Sequence, residues 1–339
     1  MKATIKDIAR EAGVSDTAVS LAFKGNVRVA ERTRQKIFAA ATRLKYVPNT
    51  AAQNLRSGKT NAVGFIVNDI ANPFYSLMLK EAERELNSLG FEMFIGGSNW
   101  DMDCEAKLIR KMIQMRVQGI IICLCEKGSK SLELLNSFSI PYVAADSYPE
   151  FYKGSYVAND FEICGKIVAE HLYEIGCRNP GIVNADKSMS DFSAFKKTFS
   201  SFRKTLGDRG IKLKRKNTVD AGLTIDSGRN AFASLRKKSF DADSFFCAND
   251  LCALGLMEAA EQDGLTIGKD IALVGIDDLP LSSFSKISLT SVRQPYAAIA
   301  RETANIIVEN ILKGTAVKVQ KELEPELIKR NSTYIFSEK

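Results

Sequence analysis

A small all-α head followed by an α/β body of two parallel-sheet subdomains is the fold class that the sequence predicts. Three observations predict it. Residues 1–60 hold twelve Lys and Arg against four Asp and Glu, a net charge of +8 on a chain whose total is +7, so residues 61–339 carry −1. The same 60 residues read as short amphipathic helices with cap signals at their starts. From Ala62 onward, continuous apolar runs alternate with amphipathic stretches, the pattern of parallel strands covered by helices on both faces. A basic head on a near-neutral body is the electrostatic footprint of a nucleic-acid binder. A basic solvated face without a partner is the plain alternative.

In the head, "TIKD" places Thr4 and Asp7 as a capping box, opening a helix that runs to about Ala12, where Gly13 supplies the turn. Ser15 is a good N-cap for a second helix within "GVSDTAVSLAFKG". One stripe of that helix carries Thr17, Ser20, Leu21 and Lys24; the other carries Val19, Ala22 and Phe23. A third helix is expected from about Glu31 to Tyr46, with Ile37, Ala40, Ala41 and Leu44 on one side, and Pro48 stops it. Then comes "PNTAAQNLRSGKTN", in which Asn49 can cap one or two turns from Ala51 to Arg56. A helix so short is marginal alone in water and orders only when it docks.

In the body, strands are expected at 62–67, 91–96, 119–124, 142–146, 181–185, 244–248, 272–277 and 289–294. Roughly 275 residues exceed one comfortable core, so two subdomains with a cleft between them are expected. Ligands of such sheets bind outside the carboxyl ends of the strands.

Other classes find little support. No run approaches 18 apolar residues, and the charged start "MKATIKDIAREAG" lacks an apolar signal core, so neither a membrane partner nor secretion is expected. The seven Cys fall mostly in apolar runs, as reduced thiols of a cytoplasmic protein do. Cys123 and Cys125 would share a strand face, either as buried strand residues or as a metal pair, but the single His171 and the lack of a matching C-x-x-C give the pair no further ligands. "GLTIGKD" has three residues between its glycines and Asp270 after its lysine, so it is not a phosphate loop. No G-x-G-x-x-G, metal cluster or triad is evident, so no catalytic residue, cofactor or metal is expected.

"TIKDIAREAGVSDTAVSLAFKG", "RVAERTRQKI", "YVPNTAAQNLRSGKT", "NPFY", "ANDLCALG", "VGIDD" and "LTSVRQP" together resemble the lactose/galactose repressor (LacI/GalR) family, in order and over nearly the whole chain. The resemblance implies an all-α helix-turn-helix head (1–47), a hinge helix (48–60) and an α/β periplasmic-binding-protein-like core (61–339). The core would comprise an N-subdomain of about 61–158 and 292–320 and a C-subdomain of about 161–289 and 323–339, with crossings near 158–161, 289–294 and 320–323. It implies a transcriptional regulator, most readily a repressor, that binds a pseudo-palindromic operator in double-stranded DNA as a homodimer. A small molecule in the cleft would control it. A periplasmic-type sugar-binding protein or a sugar-acting enzyme with an accessory DNA-binding head is the alternative.

The resemblance also implies site residues. Val19, Ala22 and Phe23 pack on the first and third helices, which turns Thr17, Ser20, Leu21 and Lys24 to the major groove. Asp16, Thr17 and Leu21 occupy the base-choosing positions. Thr4, Ser15 and Ser20 would anchor the backbone, with Arg28, Thr33 and Arg34 near phosphate. Tyr46, Asn49 and Ala52 complete the DNA-binding set, together with Leu55, expected to wedge into the minor groove. Many members carry Arg where Leu21 stands; Leu cannot hold guanine bidentately, which implies weaker guanine preference there. That Leu21 merely packs is the alternative. Gln53 also replaces a common Arg.

For the cleft, the matching motifs supply Phe74, Tyr75, Asp146, Ser147, Asp160, Asn249, Asp277 and Gln294. Thr198 stands where many members place an Arg, and Leu223 where some have an aromatic lid. The missing cation favours a neutral sugar or similar polyol as effector. The helix from about Phe74 to Leu89 and segments around 95–120 would form the dimer interface. The end "TYIFSEK" carries no leucine heptads, so no coiled-coil tetramer is expected.

Overall fold

In the computed structural model the described residues are 3–23, 29–46, 60–125, 130–189, 192–315 and 317–333. The chain divides into two units, Met1–Thr60 and Asn61–Lys339.

In the first unit, Thr4 caps α1 (Ile5–Ala12) reciprocally with Asp7. The Asp7 amide donates to Thr4 Oγ1 at 3.3 Å, and the Thr4 amide donates to Asp7 Oδ2 at 2.9 Å. Gly13 ends the helix at φ +67°, a left-handed conformation that glycine adopts without steric cost. The second helix, α2 (Asp16–Phe23), starts where Ser15 Oγ accepts from the Ala18 amide at 3.2 Å. The third, α3 (Glu31–Arg43), stops short of the expected Tyr46. Lys45 takes φ +49°, its amide donates to Thr42 O, and the Tyr46 amide reaches back to Ala41 O at 2.9 Å. This is a Schellman closure built on a lysine, so no glycine marked it in the sequence. Ile8, Val19 and Ile37 are fully buried where the three helices meet.

The second unit holds two six-stranded sheets. Its chain order is β1 (Ala62–Val67), α4 (Pro73–Ser88), β2 (Glu92–Gly97), α5 (Met102–Gln114), β3 (Gly119–Ile122), α6 (Lys130–Ser137), β4 (Tyr142–Asp146), β5 (Tyr156–Asn159) and α7 (Phe161–Glu174). There follow β6 (Pro180–Asn184), α8 (Ser193–Asp208), β7 (Thr218–Asp220), α9 (Ile225–Lys237), β8 (Ser244–Cys247), α10 (Asp250–Gln262), β9 (Ala272–Ile276), β10 (Thr290–Arg293), α11 (Tyr296–Lys313), β11 (Gln320–Leu323) and β12 (Glu326–Ile328). The sheets run β11-β5-β4-β3-β1-β2 and β12-β10-β9-β8-β6-β7. All pairings are parallel except β10 with β12. Central strands such as β1, β3 and β9 are buried on both faces, which explains their unbroken apolar sequences.

The chain passes between sheets after Asn159, after Arg293 and after Leu323. β10 thus lies wholly in the second sheet and β11 wholly in the first, which shifts the expected subdomain limits near 292 and 323. Four strands escaped the sequence pattern: β5, β7, β11 and β12. Each has three or four residues, and β11, "QKEL", is an almost fully solvated edge held by its backbone ladder with β5.

In the second subdomain, helices approach backbone to backbone. A Cβ on Gly165 of α7 would collide with Thr198 O of α8, and one on Gly255 of α10 with Ile225 O of α9. Cys123 and Cys125 lie buried just past the end of β3, and burial pushes both thiols well above their usual range. Among the described residues no cluster of His, Cys, Asp and Glu has the make-up of a metal site. Nor is any described helix long and apolar enough to cross a membrane.

Candidate nucleic-acid interface and ligand cleft

The head orients α2 through its apolar face. Val19 and Ala22 are buried, and Phe23 stands edge-on to Phe38 at 5.3 Å and tilted against Tyr46 at 5.6 Å. That leaves Ser15, Asp16 and Thr17 exposed, with Ser20 half-buried. Asp16 sits in the first turn of α2, where a carboxylate complements the positive helix end. Leu21 is half-buried and packs on the head's apolar cluster, so part of its surface is already spent inside the head. Tyr46 packs on the same cluster. The hydroxyl of Thr4 donates to Asp7 at 2.7 Å within its cap.

At the start of α3, Ala30 provides no side-chain cap, which leaves the positive helix end open toward an anion. Thr33 and Arg34 stand in that first turn, with Arg34 3.7 Å from Glu31. Lys24, Arg28, Asn49, Ala52, Gln53 and Leu55 lie outside the described residues, as does the expected hinge apart from Thr60.

In the body, nine of the ten expected cleft residues line one cavity at the carboxyl ends of both sheets. Asn72 caps α4 by accepting from the Phe74 amide at 3.0 Å, and this cap presents Phe74 and Tyr75. Asp146 ends β4 at φ +69°, with Ser147 next in the chain. From the second subdomain come Thr198 of α8, Leu223 before α9, and Asn249, the cap of α10. Asn249 Nδ2 donates to Leu223 O at 3.0 Å, which ties the loop before α9 to the cleft floor. Asp277 comes after β9 at φ +113°, and Gln294 Nε2 donates to its Oδ1 at 2.7 Å.

Asp160 is the exception. Its carboxylate caps α7, accepting from the Glu162 and Ile163 amides at 3.0 and 2.9 Å, and it does not line the cavity. Phe161, the next residue, lines it instead.

Sequence reasoning missed Asn72, Trp100, Phe161 and Phe195 in this lining. Trp100, the only Trp of the chain, lies beyond the carboxyl end of β2. Asn99 and Trp100 take φ +54° and +60°, and this turn carries the indole over to the second subdomain. There its ring meets Phe192 at 5.4 Å and Phe195 at 6.3 Å, while Tyr75 flanks it at 6.4 Å. A search of the first few residues beyond each strand, β2 included, finds it.

The cavity measures about 50 Å³. Pockets for drug-sized ligands span roughly 300–1,000 Å³, so a ligand of that class enters only as the subdomains part. The lining holds two carboxylates, Asp146 and Asp277, and no Lys or Arg. Lys196 and Lys197 point away, toward Glu150 and Glu322. Burial, then the charge of Asp250, pushes the Asp277 carboxyl well up; the amides of Gln294 and Asn72 oppose this. Asp250 is itself fully buried and pushed up to about 7, chiefly by burial. It accepts from the Leu279 amide (2.8 Å), Ser282 (2.6 Å) and Ser291 (2.5 Å), which pins the loop beyond Asp277. Oε1 of Gln294 is buried with no hydrogen-bond partner in the closed cleft. The site therefore offers aromatic faces and hydrogen-bond acceptors to a ligand rich in donors.

Residues 4–49 match the model described as bacterial regulatory proteins, lacI family, and residues 169–333 match a periplasmic binding protein-like domain. The chain is 26% identical over 331 residues to the "HTH-type transcriptional repressor PurR" of Photobacterium profundum, covering 97% of this chain and 98% of that one. A solved "transcriptional regulator CelR-cellobiose complex" superposes with a TM-score of 0.74 at 25% identity, over 97% of this chain and 99% of that one. The Lac repressor bound to ONPG shares the fold, with a TM-score of 0.86 at 23% identity over 98% of this chain and 100% of that one.

Proposed function

We propose, for a chain that belongs to the lacI family of bacterial regulatory proteins, a cytoplasmic repressor that binds a pseudo-palindromic operator as a homodimer and is controlled by a neutral polyol. As a family member it is a DNA-binding transcriptional regulator, not an enzyme. The operator, the dimer and the sugar are our reading.

The head supports operator reading. Asp16, Thr17 and the free part of Leu21 would meet base edges in the major groove, with Ser15, Ser20, Thr33 and Arg34 toward phosphate. Thr4, by resemblance a backbone anchor, would act through the helix end that it caps. The dimer is supported by the exposed apolar residues Leu89, Phe94, Ile95 and Met115, clustered along the edge strand β2 and its flanking helices. A bare apolar edge strand calls for a partner.

The observation that carries the effector reading is a lining with two carboxylates, five aromatic rings and no cation. Hydroxyl groups donate to Asp146, Asp277 and Gln294 while Trp100 and Phe161 cover the apolar faces of the sugar ring. A phosphate or carboxylate would find no cation in the lining to pair with. Entry of such a ligand opens the cleft and changes the angle at the three crossings, which moves the first subdomain, whose leading residue Asn61 continues from the head.

The test is selection of the full chain against random double-stranded DNA at fixed physiological salt, since phosphate contacts make affinity salt-dependent. A pseudo-palindrome is expected. Neutral mono- and disaccharides are then screened for a change in affinity for that site; a response confined to sugar phosphates refutes the effector reading.

A further inference from the structure

A second cavity lies at the opposite edge of the first sheet, where β3, β4 and β5 begin and α11 ends. It measures about 670 Å³, well inside the range of roughly 300–1,000 Å³ typical of small-molecule sites. The short strand β4 has one end in each cavity: Tyr142 opens the second, and Asp146 lines the cleft. Helix α11 also joins them. Gln294, just before it, belongs to the cleft, and Asn310 and Ile311 in its last turn line the second cavity.

The chemistry of this cavity is the inverse of the cleft's. Its lining has no Asp or Glu, and its only charged residue is Lys318, exposed and without an acidic partner among the described residues. Two rings, Tyr142 and Tyr152, stand 6.4 Å apart and tilted by 42°. Both hydroxyls are anchored, Tyr142 donating to Asn136 Oδ1 at 3.1 Å and Tyr152 to Ser155 O at 3.0 Å, so the rings are held rather than free to fill the space. Leu135, Ile140, Pro141 and Ile311 supply apolar wall.

We propose that this cavity is a second ligand site, for a small aromatic anion: its ring against the tyrosines and the apolar wall, its acidic group on Lys318. Desolvation of the ring drives binding, and the ammonium selects the charge. A ligand here presses on Tyr142 and Asn310, at the far ends of the two elements that reach the cleft. It also touches Gln118, whose Oε1 accepts from the amide of Asn61 at 2.8 Å, where the core begins.

The experiment is a fluorescence titration of the full chain with 8-anilinonaphthalene-1-sulfonate, set beside its uncharged analogue N-phenyl-1-naphthylamine. The expected result is one saturable sulfonate site per chain, at least tenfold tighter than the analogue. Lys318→Glu should abolish that preference, and Thr315→Trp, which fills the mouth, should weaken both probes. Circular dichroism and thermal midpoints of each variant show whether it is folded; should Thr315→Trp not fold, Lys318→Glu alone carries the test. No saturable site, or a sulfonate preference that survives Lys318→Glu in a folded protein, overturns the proposal.

Discussion

Trp100 and Phe192 stand ring to ring, 5.4 Å apart, across the line where the two subdomains face each other. The indole belongs to the loop after the edge strand of the first sheet, and the phenyl ring to the start of α8 in the second. This aromatic contact, with Phe195 beside it, closes the cleft over its buried carboxylates.

That contact makes the chain's only Trp a reporter. With excitation at 295 nm, a neutral saccharide that enters the cleft should shift the emission maximum and saturate. Asp277→Ala should weaken the apparent affinity by tenfold or more, about 1.4 kcal/mol or above, because a buried hydrogen bond to the ligand is lost and Gln294 Nε2 loses its partner as well. A saturable Trp response left intact in Asp277→Ala would contradict the assignment of the site.

Leu21 offers a test of what the head reads. Leu21→Arg should increase preference for guanine at one symmetric pair of operator positions, since a guanidinium can engage O6 and N7 together. Because the side chain is half-buried against the head's cluster, Leu21→Ala should also lower head stability, by about 1–2 kcal/mol. Identical selected operators for the parent chain and the Leu21→Arg variant would leave only the packing role.

His171 should govern part of the acid sensitivity. It is buried in α7, with Nε2 2.9 Å from Thr333 Oγ1, and burial lowers its pKa to about 4. Between the unfolded value near 6.5 and pH 4 the unfolded chain holds the proton and the folded chain does not. Stability is therefore full above about pH 6.5 and falls as pH drops toward 4, by about 3 kcal/mol across the window. His171→Gln should flatten that part of the curve. Urea midpoints at pH 7 and pH 4.5 for both proteins measure it; parallel slopes would be the adverse result.

Gly255 should be intolerant of even a methyl group. Its missing Cβ is what lets α10 reach the backbone of α9 at Ile225. Gly255→Ala should cost about 1–3 kcal/mol or more through forced separation of the pair, despite alanine's better helix propensity. A thermal midpoint equal to or above the parent's would show that the helices separate freely.

Legibility in the sequence tracks the physics of parallel sheets. Asn249 and Asp277 come directly after apolar runs, so topology alone sends them to the carboxyl edge. Asp160 also comes after a strand, but its carboxylate is consumed by two amides of α7, an outcome that only the local backbone decides. Trp100 was hidden because two left-handed residues redirect the chain after β2, and such a turn has no hydrophobic period to read. β11 and β12 were hidden for the same reason: a solvated edge is held by backbone pairing, which leaves no side-chain signature. In the head, the sequence marks Leu21 as an apolar residue out of place, but periodicity does not reveal that it is shared between the head's interior and its surface.

The close helix pairs and the three sheet-to-sheet crossings together have a mechanical meaning. Where neighbouring helices touch backbone to backbone at Gly165 and Gly255, no side chain separates the paired helices at those points, and with the densely packed core beneath them the second subdomain behaves as a stiff plate. Compliance is left to the short straps after Asn159, Arg293 and Leu323. A signal generated in the cleft is then transmitted as a rotation, with little of it dissipated as strain. Substitutions inside the plate change how long the device survives; substitutions in the straps change its gain.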